Sequence, residues 1–201
     1  MTYIDTGGIN KEVLVLIHGL GGRKEYWNAQ LPLARHYRLI ILDLRGHGED
    51  IHTDNITLEQ SALDAIELVE KKLGIKQAHF LGHSLGGAIV QKIMVLRPDL
   101  IKSMILANTT SIFPRFIVEQ TVGHLESNLS RVSDFGFVRA VCERGLYNTD
   151  LATEAMSGFK MRRDTYMQIV KDTIGQNFLP YIMLFRKPIL LISSSHDIVT
   201  P

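Results

Sequence analysis

Several features that define special classes of protein are scarce or absent in this chain. Its single cysteine, Cys142, excludes an intrachain disulfide and is typical of a reducing compartment. Its 22 basic and 21 acidic residues leave a net charge of +1, which gives no electrostatic basis for binding nucleic acid or an anionic membrane. No apolar run approaches the roughly 20 residues of a membrane span, and the N-terminus lacks a secretory-signal pattern. We therefore expect a cytoplasmic protein without nucleic-acid or membrane partners.

The composition that remains is that of a globular protein with regularly spaced apolar segments. Of the 201 residues, 45% are hydrophobic and 21% are charged, which suits one domain with a substantial core. Apolar runs of strand length recur at 13–17, 37–44, 78–82, 103–107 and 188–193. Such runs, alternating with helices, are typical of a mostly parallel, doubly wound α/β sheet. Residues 2–6 could add an antiparallel edge strand.

The alternation of strands and helices stops after Ser111. Helical stretches are predicted at 115–129, 134–144, 150–162 and 164–174, without a convincing strand before 188. An insertion of this length is too long for a plain crossover between two strands. We therefore predict a core over 1–110, a helical lid over 111–165 inserted before the last strand present, and a continuation of the core over 166–201. A separate helical domain is the alternative, disfavoured because the strand that follows resumes the sheet pattern.

Ser84 is the candidate nucleophile. It lies in Gly82-His83-Ser84-Leu85-Gly86, between an apolar strand pattern and a helix pattern. A sharp turn from strand to helix holds the corner residue in a strained backbone conformation and projects its side chain towards substrate. Glycines two positions before and after the serine allow the backbone segments to cross closely.

A nucleophilic serine also needs donors for the developing oxyanion. The loop His18-Gly19-Leu20-Gly21-Gly22 follows a predicted strand, and ligands of parallel sheets gather at the carboxyl ends of strands. The backbone N–H groups of Leu20 and Leu85 are the predicted pair of donors. Nucleotide binding by this loop is disfavoured, because it has neither a Gly-Lys-Ser/Thr ending nor the spacing of the dinucleotide fingerprint.

These motifs, taken together, resemble the α/β-hydrolase family over essentially the whole chain. The resemblance rests on the segments 18–22, 43–48, 82–87 and 195–201, which occur in the family's order. It implies that Ser84 is the nucleophile, that Asp197 is the acid of the catalytic triad, and that no cofactor or metal is needed. His18, Gly19, Gly82, His83 and Gly86 would support the motifs, and the 43–48 loop would be structural, with Arg45 in a buried polar network. Glu49 departs from the family pattern at a position expected to be peripheral.

The large departure from the family is at the C-terminus. In the family the catalytic histidine follows the acid by about 25–30 residues, whereas only four residues follow Asp197 here. No other histidine is well placed: His196 adjoins the acid, His83 is expected to point away from Ser84, and His18 is expected to be structural. His124 in the predicted lid is the one that mobility could bring near the serine.

Two explanations of this departure remain open. The favoured one is that the chain is a piece of an ordinary serine hydrolase and is impaired because the histidine is missing, together with the final strand and helix. The other is a naturally short protein that binds without catalysis or completes its site with a partner. In either case the strand at 188–193 would be an unprotected sheet edge, which predicts a homodimer or strand exchange.

The leading function predicted from the sequence is hydrolysis of a small carboxylic ester or related acyl compound. Lactonases, carbon–carbon bond hydrolases and perhydrolases of the same fold share every motif quoted above. The alternative is a ligand-binding or signalling protein on a hydrolase scaffold. Apolar residues of the predicted lid could form an acyl pocket, although simple packing is favoured for them: Ile112, Phe113, Phe116, Phe135, Phe137 and Met156. Asn108 occupies a place where some relatives carry the triad acid, and an amide cannot fill that role.

Overall fold

The centre of the protein is a six-stranded, mostly parallel sheet. The computed structural model describes residues 1–8, 11–129, 131–145 and 152–197. The strands are β1 (Tyr3–Asp5), β2 (Glu12–Ile17), β3 (Tyr37–Leu42), β4 (Ala78–His83), β5 (Ile101–Ala107) and β6 (Ile189–Ile192). Their spatial order is β1-β3-β2-β4-β5-β6, and every pair is parallel except β1 with β3. The predicted α/β class and the antiparallel edge strand are both confirmed.

The continuous apolar runs of β2 and β3 follow from burial of the sheet on both faces. One face carries Val15 and Ile17 into the larger core cluster, where helices pack on them. The opposite face carries Leu14 and Leu16 against Trp27, which lies in a 3₁₀-helical segment over Lys24–Arg35. Because neither face is left to water, alternation of polar and apolar residues is lost along these strands.

Two helices complete the first half of the sheet. Helix α1 (Leu58–Ile66) begins after Thr57, whose Oγ1 accepts a hydrogen bond from the Gln60 N–H at 3.0 Å, and it continues into a π-helical segment, Glu67–Lys72. Gly74, with φ of 66°, ends the segment in the left-handed region that favours glycine. Helix α2 (Leu85–Leu96) starts directly after β4 and packs on α1 and the sheet.

Helices fill the interval between β5 and β6, as the sequence predicts. They are α3 (Arg115–Leu129), α4 (Asp134–Gly145), α5 (Ala152–Gly158), α6 (Arg163–Asp172) and α7 (Leu179–Leu184). Helix α7 is not among the helices predicted from the sequence, and the start of the helix predicted at 150–162 lies outside the described residues. None of the helices in the described ranges combines the length and the apolar character required to cross a membrane.

A buried ion-pair network holds the loop after β3. Asp43 is fully buried, and its carboxylate accepts hydrogen bonds from the backbone N–H of Lys24 at 2.7 Å, from Lys24 Nζ at 2.9 Å and from Thr2 Oγ1 at 2.6 Å. Burial alone would raise the pKa of Asp43, but the bonds from Thr2, Lys24 and Glu49 together lower it. Burial alone would lower the pKa of Lys24, but its bonds to Glu49 and Asp43 raise it.

Glu49 is exposed, as expected of a peripheral position, but it also contacts the buried network. Its carboxylate lies 2.6 Å from Lys24 Nζ, and its backbone N–H donates to Asp43 at 3.1 Å. Arg45 has the expected position in a polar network, with two hydrogen bonds to Asp64 at 2.7 and 3.1 Å. A contact partner 25 residues away in sequence, such as Lys24 for Glu49, leaves no local signal.

The substitution Asp43→Asn should destabilise the fold. It places an amide donor against Lys24 and Thr2 and leaves the Lys24 ammonium to the more exposed carboxylates of Glu49 and Glu25, which costs about 3 kcal/mol of unfolding free energy. Urea denaturation checks this value. Asp5→Asn is the matched control, because Asp5 pairs with Arg38 near the surface and its loss should cost less than about 1 kcal/mol. Equal losses in the two variants would contradict the prediction.

Candidate active site

Ser84 occupies the corner between a strand and a helix. Strand β4 ends at His83 and α2 begins at Leu85, so the serine alone links the two elements. Its φ of 51° and ψ of −116° lie in a region that residues with side chains rarely adopt. Such a conformation costs on the order of 1–3 kcal/mol and persists where the surrounding structure imposes it.

Two glycines allow α2 to start directly on the sheet. A Cβ on Gly82 would overlap the backbone of Gly86, and a Cβ on Gly86 would overlap the carbonyl oxygen of Ile17 in β2. The Ser84 N–H donates to the Ala107 carbonyl at 3.0 Å, which anchors the corner to β5. The helix can therefore approach the strands closely enough to hold Ser84 at the corner.

The turn after β2 lies directly beside the serine. A Cβ on Gly19 would lie 3.3 Å from the Cβ of Ser84, so the turn and the corner are in van der Waals contact. Among the hydrogen bonds of the described residues, none uses the backbone N–H of Leu20 or Leu85. The arrangement leaves two N–H groups, one on each side of the serine, for an external acceptor.

His18 is fully buried and holds the turn. Its Nδ1–H donates to the Gly19 carbonyl at 2.8 Å, and its Nε2 accepts from the Leu44 N–H at 3.1 Å. These partners define the neutral tautomer that is protonated at Nδ1. Burial, followed by the charge of the neighbouring His47, lowers the pKa of His18 to about 3. His18 therefore ties the Gly19 turn to the backbone of Leu44.

His47 is a second buried, neutral imidazole beside the first. The ring centroids of His18 and His47 are 5.1 Å apart. The Nδ1–H of His47 donates to the Arg45 carbonyl at 2.9 Å, and burial lowers the pKa of His47 to about 4. The two rings link the turn after β2 to the loop after β3.

The ring of His83 lies at the side of the same turn. It stacks on the exposed ring of Tyr26 with centroids 5.4 Å apart, and a Cβ on Gly19 would lie 2.9 Å from its Nδ1. Burial lowers the pKa of His83, and the charge of Asp197 acts in the opposite direction. The ring of His83 therefore lies beside the Gly19 turn, and it is close enough to Asp197 for the aspartate charge to affect its pKa.

Asp197 lies after β6, at the same edge of the sheet as Ser84. It is half-buried, and its N–H donates to the Ser194 carbonyl at 3.1 Å. Its Oδ2 accepts a hydrogen bond of 2.5 Å from Nδ2 of Asn108, the first residue after β5. Sequence reasoning missed this contact, and the remaining residues of the predicted motif, 198–201, lie outside the described residues.

Three further histidines contact groups other than Ser84. His52 contacts Asp50, and His79 contacts Ser103 and Glu12 at the opposite end of β4 and β5. His124, the mobile candidate, contacts the Asn128 side chain on the surface of α3 at 2.9 Å. None of these three imidazoles is placed as a base for Ser84.

The apolar residues considered for an acyl pocket are divided between core and surface. Phe137 is buried against Tyr166, with ring centroids 5.3 Å apart. Phe116 and Phe135 are 75% and 69% exposed. Packing therefore explains Phe137, and the two exposed rings lie outside the core. Within the described ranges, no cluster of three or more histidine, cysteine, aspartate or glutamate side chains could hold a metal ion.

Comparison with known proteins identifies the family. The family described as alpha/beta hydrolase fold matches residues 12–163, which include Ser84, the turn after β2 and most of the helices before β6. The chain belongs to the alpha/beta hydrolase fold family.

One relative and two solved structures illustrate the range of similar proteins. A protein of Stutzerimonas stutzeri, provisionally named carbamate hydrolase RutD, is 38% identical over 101 residues, which are 49% of this chain and 38% of that protein. A hydrolase from Pseudomonas aeruginosa has a TM-score of 0.86 at 25% identity, covering 98% of this chain and 77% of that chain. The enol-lactonase from Burkholderia xenovorans has a TM-score of 0.83 at 23% identity, covering 98% and 78%, and shows the fold alone. The match thus spans well under half of the curated relative's length.

Stability should fall as the pH is lowered from 6.5 towards 4.5. In this window the unfolded chain protonates its histidines at their usual pKa of 6.5, whereas His18 and His47 stay neutral in the fold, with pKa values of about 3 and about 4. The unfolded state therefore binds more protons, and each buried ring contributes up to about 1.4 kcal/mol per pH unit. Urea denaturation of His47→Asn, which keeps a donor for the Arg45 carbonyl, should show a smaller slope than the wild type, by up to about 1.4 kcal/mol per pH unit. An unchanged slope would contradict the assignment.

Proposed function

We propose that the protein is a serine hydrolase that acts on a small carboxylic ester or related acyl compound, with Ser84 as the nucleophile. The observation that carries the proposal is the strained Ser84 corner, with φ of 51°, in contact with the Gly19 turn. A backbone conformation of this kind costs on the order of 1–3 kcal/mol, and a relaxed connection between strand and helix would be more stable. Strain that is kept despite this cost is typical of a functional site. A binding scaffold would not need it.

In this mechanism the Ser84 hydroxyl attacks the carbonyl carbon of the substrate. The N–H groups of Leu20 and Leu85 donate to the oxyanion that forms, and they lie on the two segments that meet at the serine. A base takes the proton of the hydroxyl and returns it to the leaving group, so that collapse of the tetrahedral intermediate releases the alcohol or amine and leaves an acyl-serine. Water then attacks the acyl group, and the acid is released.

Asp197 would orient the histidine base and stabilise its protonated form. Its position after β6, at the edge of the sheet that carries Ser84, supports this role. The histidine itself is absent from the 201 residues, so we propose that this chain alone is impaired in catalysis.

The acyl class of substrate is supported by the names of two similar proteins. One is provisionally named a carbamate hydrolase and the other an enol-lactonase. Carbamates and lactones both present a carbonyl carbon bonded to a heteroatom, which is the bond that a serine nucleophile of this kind cleaves. No cofactor is required for this chemistry.

We propose that the helices over 111–165 act as a lid on the core formed by 1–110 and 166–201. The segment after α5 contacts the site: the Lys160 N–H donates to the Gly21 carbonyl at 3.1 Å, and the Gly48 N–H donates to the Lys160 carbonyl at 3.0 Å. The Phe159 ring occupies the space where Gly21 has no side chain. These contacts support a cover over the oxyanion turn.

A cytoplasmic location is proposed from the single cysteine. Cys142 is buried, and burial raises the pKa of its thiol, which favours the protonated and less reactive form. A protein without a disulfide suits a reducing compartment.

The edge strand β6 supports a homodimer or strand exchange of the isolated chain. Among the described strands, β6 pairs with β5 alone. Leu190, Leu191 and Ile192 are 55%, 71% and 47% exposed, so both faces of the strand are uncovered. An apolar edge with unpaired backbone groups readily adds another strand, and in a purified sample a second copy of the chain supplies it.

Replacing Ser84 by alanine should abolish hydrolysis of p-nitrophenyl acetate. The experiment uses the native-length protein, which means the protein at the length that its intact mass establishes. We expect a loss of at least about 10³-fold in kcat/KM, because the nucleophile is removed. Ser103→Ala is the matched control: Ser103 also contacts a histidine, at 2.6 Å, but lies at the opposite end of the sheet, and its loss should change kcat/KM less than about twofold.

The 201-residue chain allows a second arm of the same experiment. Added imidazole can supply the missing base. It should therefore accelerate hydrolysis by the wild-type 201-residue chain more than hydrolysis by the Ser84→Ala variant of the same chain. Turnover that survives in Ser84→Ala would contradict the proposal. Saturable binding of the ester without turnover would instead favour a ligand-binding protein on a hydrolase scaffold.

The substitution Leu191→Lys should convert the 201-residue chain from dimer to monomer. A lysine on an edge strand disfavours pairing with another strand. Light scattering of the protein at tens of micromolar, about the range in which weak self-association is visible, measures the molar mass of each variant in solution. Ile51→Lys is the matched control, because Ile51 is 90% exposed in a loop away from β6 and should leave the dimer intact. A monomeric wild-type chain would refute the proposed pairing.

A further inference from the structure

We propose that Asn108 is a positioning residue, whose side-chain amide holds the Asp197 carboxylate in place relative to Ser84. This inference rests on the proposed function and extends it. Asn108 lies at the carboxyl end of β5, between the strand that leads to Ser84 and the strand that leads to Asp197.

The direct contact is a charge-assisted hydrogen bond. Nδ2 of Asn108 lies 2.5 Å from Oδ2 of Asp197. An ionised carboxylate can only accept, so the nitrogen rather than the oxygen of the amide must face it. Bonds from a neutral donor to a charged acceptor are shorter and stronger than neutral ones. The bond restricts rotation of the carboxylate, so that its other oxygen keeps one direction.

The backbone of Asn108 is held as well as its side chain. Its φ of 44° is in the left-handed region, which asparagine tolerates better than most residues. Its N–H donates to the Ile192 carbonyl at 2.8 Å, one step beyond the last paired residues of β5 and β6. The residue therefore binds both the end of β6 and the acid that follows β6.

The residues on either side of Asn108 bind the nucleophile corner. The Ala107 carbonyl accepts from the Ser84 N–H at 3.0 Å, and Thr109 Oγ1 donates to the Ser84 carbonyl at 2.7 Å. Three consecutive residues thus contact the backbone on both sides of Ser84 and the carboxylate of Asp197. This segment therefore connects the proposed nucleophile to the proposed acid.

The test is Asn108→Asp, which keeps the side-chain shape but replaces the donor with a second carboxylate. In the native-length protein we expect kcat for p-nitrophenyl acetate at pH 8 to fall about tenfold or more while KM changes less than about twofold, since the base loses its oriented partner. The ratio of variant to wild-type kcat should rise as the pH is lowered to about 6, because two adjacent carboxyl groups share a proton and restore a donor.

Asn55→Asp is the matched control. Asn55 is also an asparagine in the left-handed region, with φ of 49°, but it is exposed in the loop before α1. Its substitution should leave kcat and its pH profile unchanged. Wild-type kcat in Asn108→Asp, or a loss that is equal at every pH, would overturn the positioning role.

A measurement independent of turnover separates this inference from the proposed function. In the wild-type protein, a side-chain amide proton of Asn108 should resonate downfield in a ¹⁵N–¹H NMR spectrum, and Asp197→Asn should remove that shift. An unchanged resonance would overturn the contact, including when Asn108→Asp fails to fold. If the Ser84→Ala variant retains activity, the proposed function is wrong. The NMR comparison still tests the hydrogen bond between Asn108 and Asp197 in that case, because it does not depend on turnover.

Discussion

The close crossing of α2 over β2 is the constraint on which the site depends. Gly86 lies against the carbonyl oxygen of Ile17, and Gly82 lies against the backbone of Gly86, at separations that a Cβ would forbid. Because the helix begins this near the sheet, the one residue left to link β4 and α2 must adopt φ of 51°. The same crossing brings the turn at Gly19 against the Cβ of Ser84. The strained corner at Ser84 and the neighbouring turn at Gly19 are thus consequences of a single backbone contact.

Polar groups hold the loops that surround this crossing. His18 bonds the turn after β2 to Leu44, and Asp43 gathers Lys24 and Glu49 around the loop after β3. The His18 imidazole has one donor and one acceptor partner, and the Asp43 carboxylate has several N–H and O–H donors. These hydrogen bonds connect the loops at the carboxyl ends of the strands to one another.

The strands, the antiparallel edge strand and the cap at Thr57 were predictable, because each depends on local pattern and turn chemistry. Continuous apolar runs report burial on both faces, and a threonine before a helix reports its own hydrogen bond to the backbone. Helix α7 and the role of Glu49 were not predictable in this way. A helix of six residues has too little periodicity, and a carboxylate that pairs across 25 residues has no local signature.

The sequence by itself determined the strained corner at Ser84 and the turn at Gly19, since glycines at fixed spacing around a serine admit few backbone conformations. Only the tertiary structure decided which residue holds Asp197. Asn108 and Asp197 are 89 positions apart, and they meet because β5 and β6 pair in a register that ends at Ala107 and Ile192. That register depends on packing of the whole sheet, so no segment of the sequence encodes the contact alone.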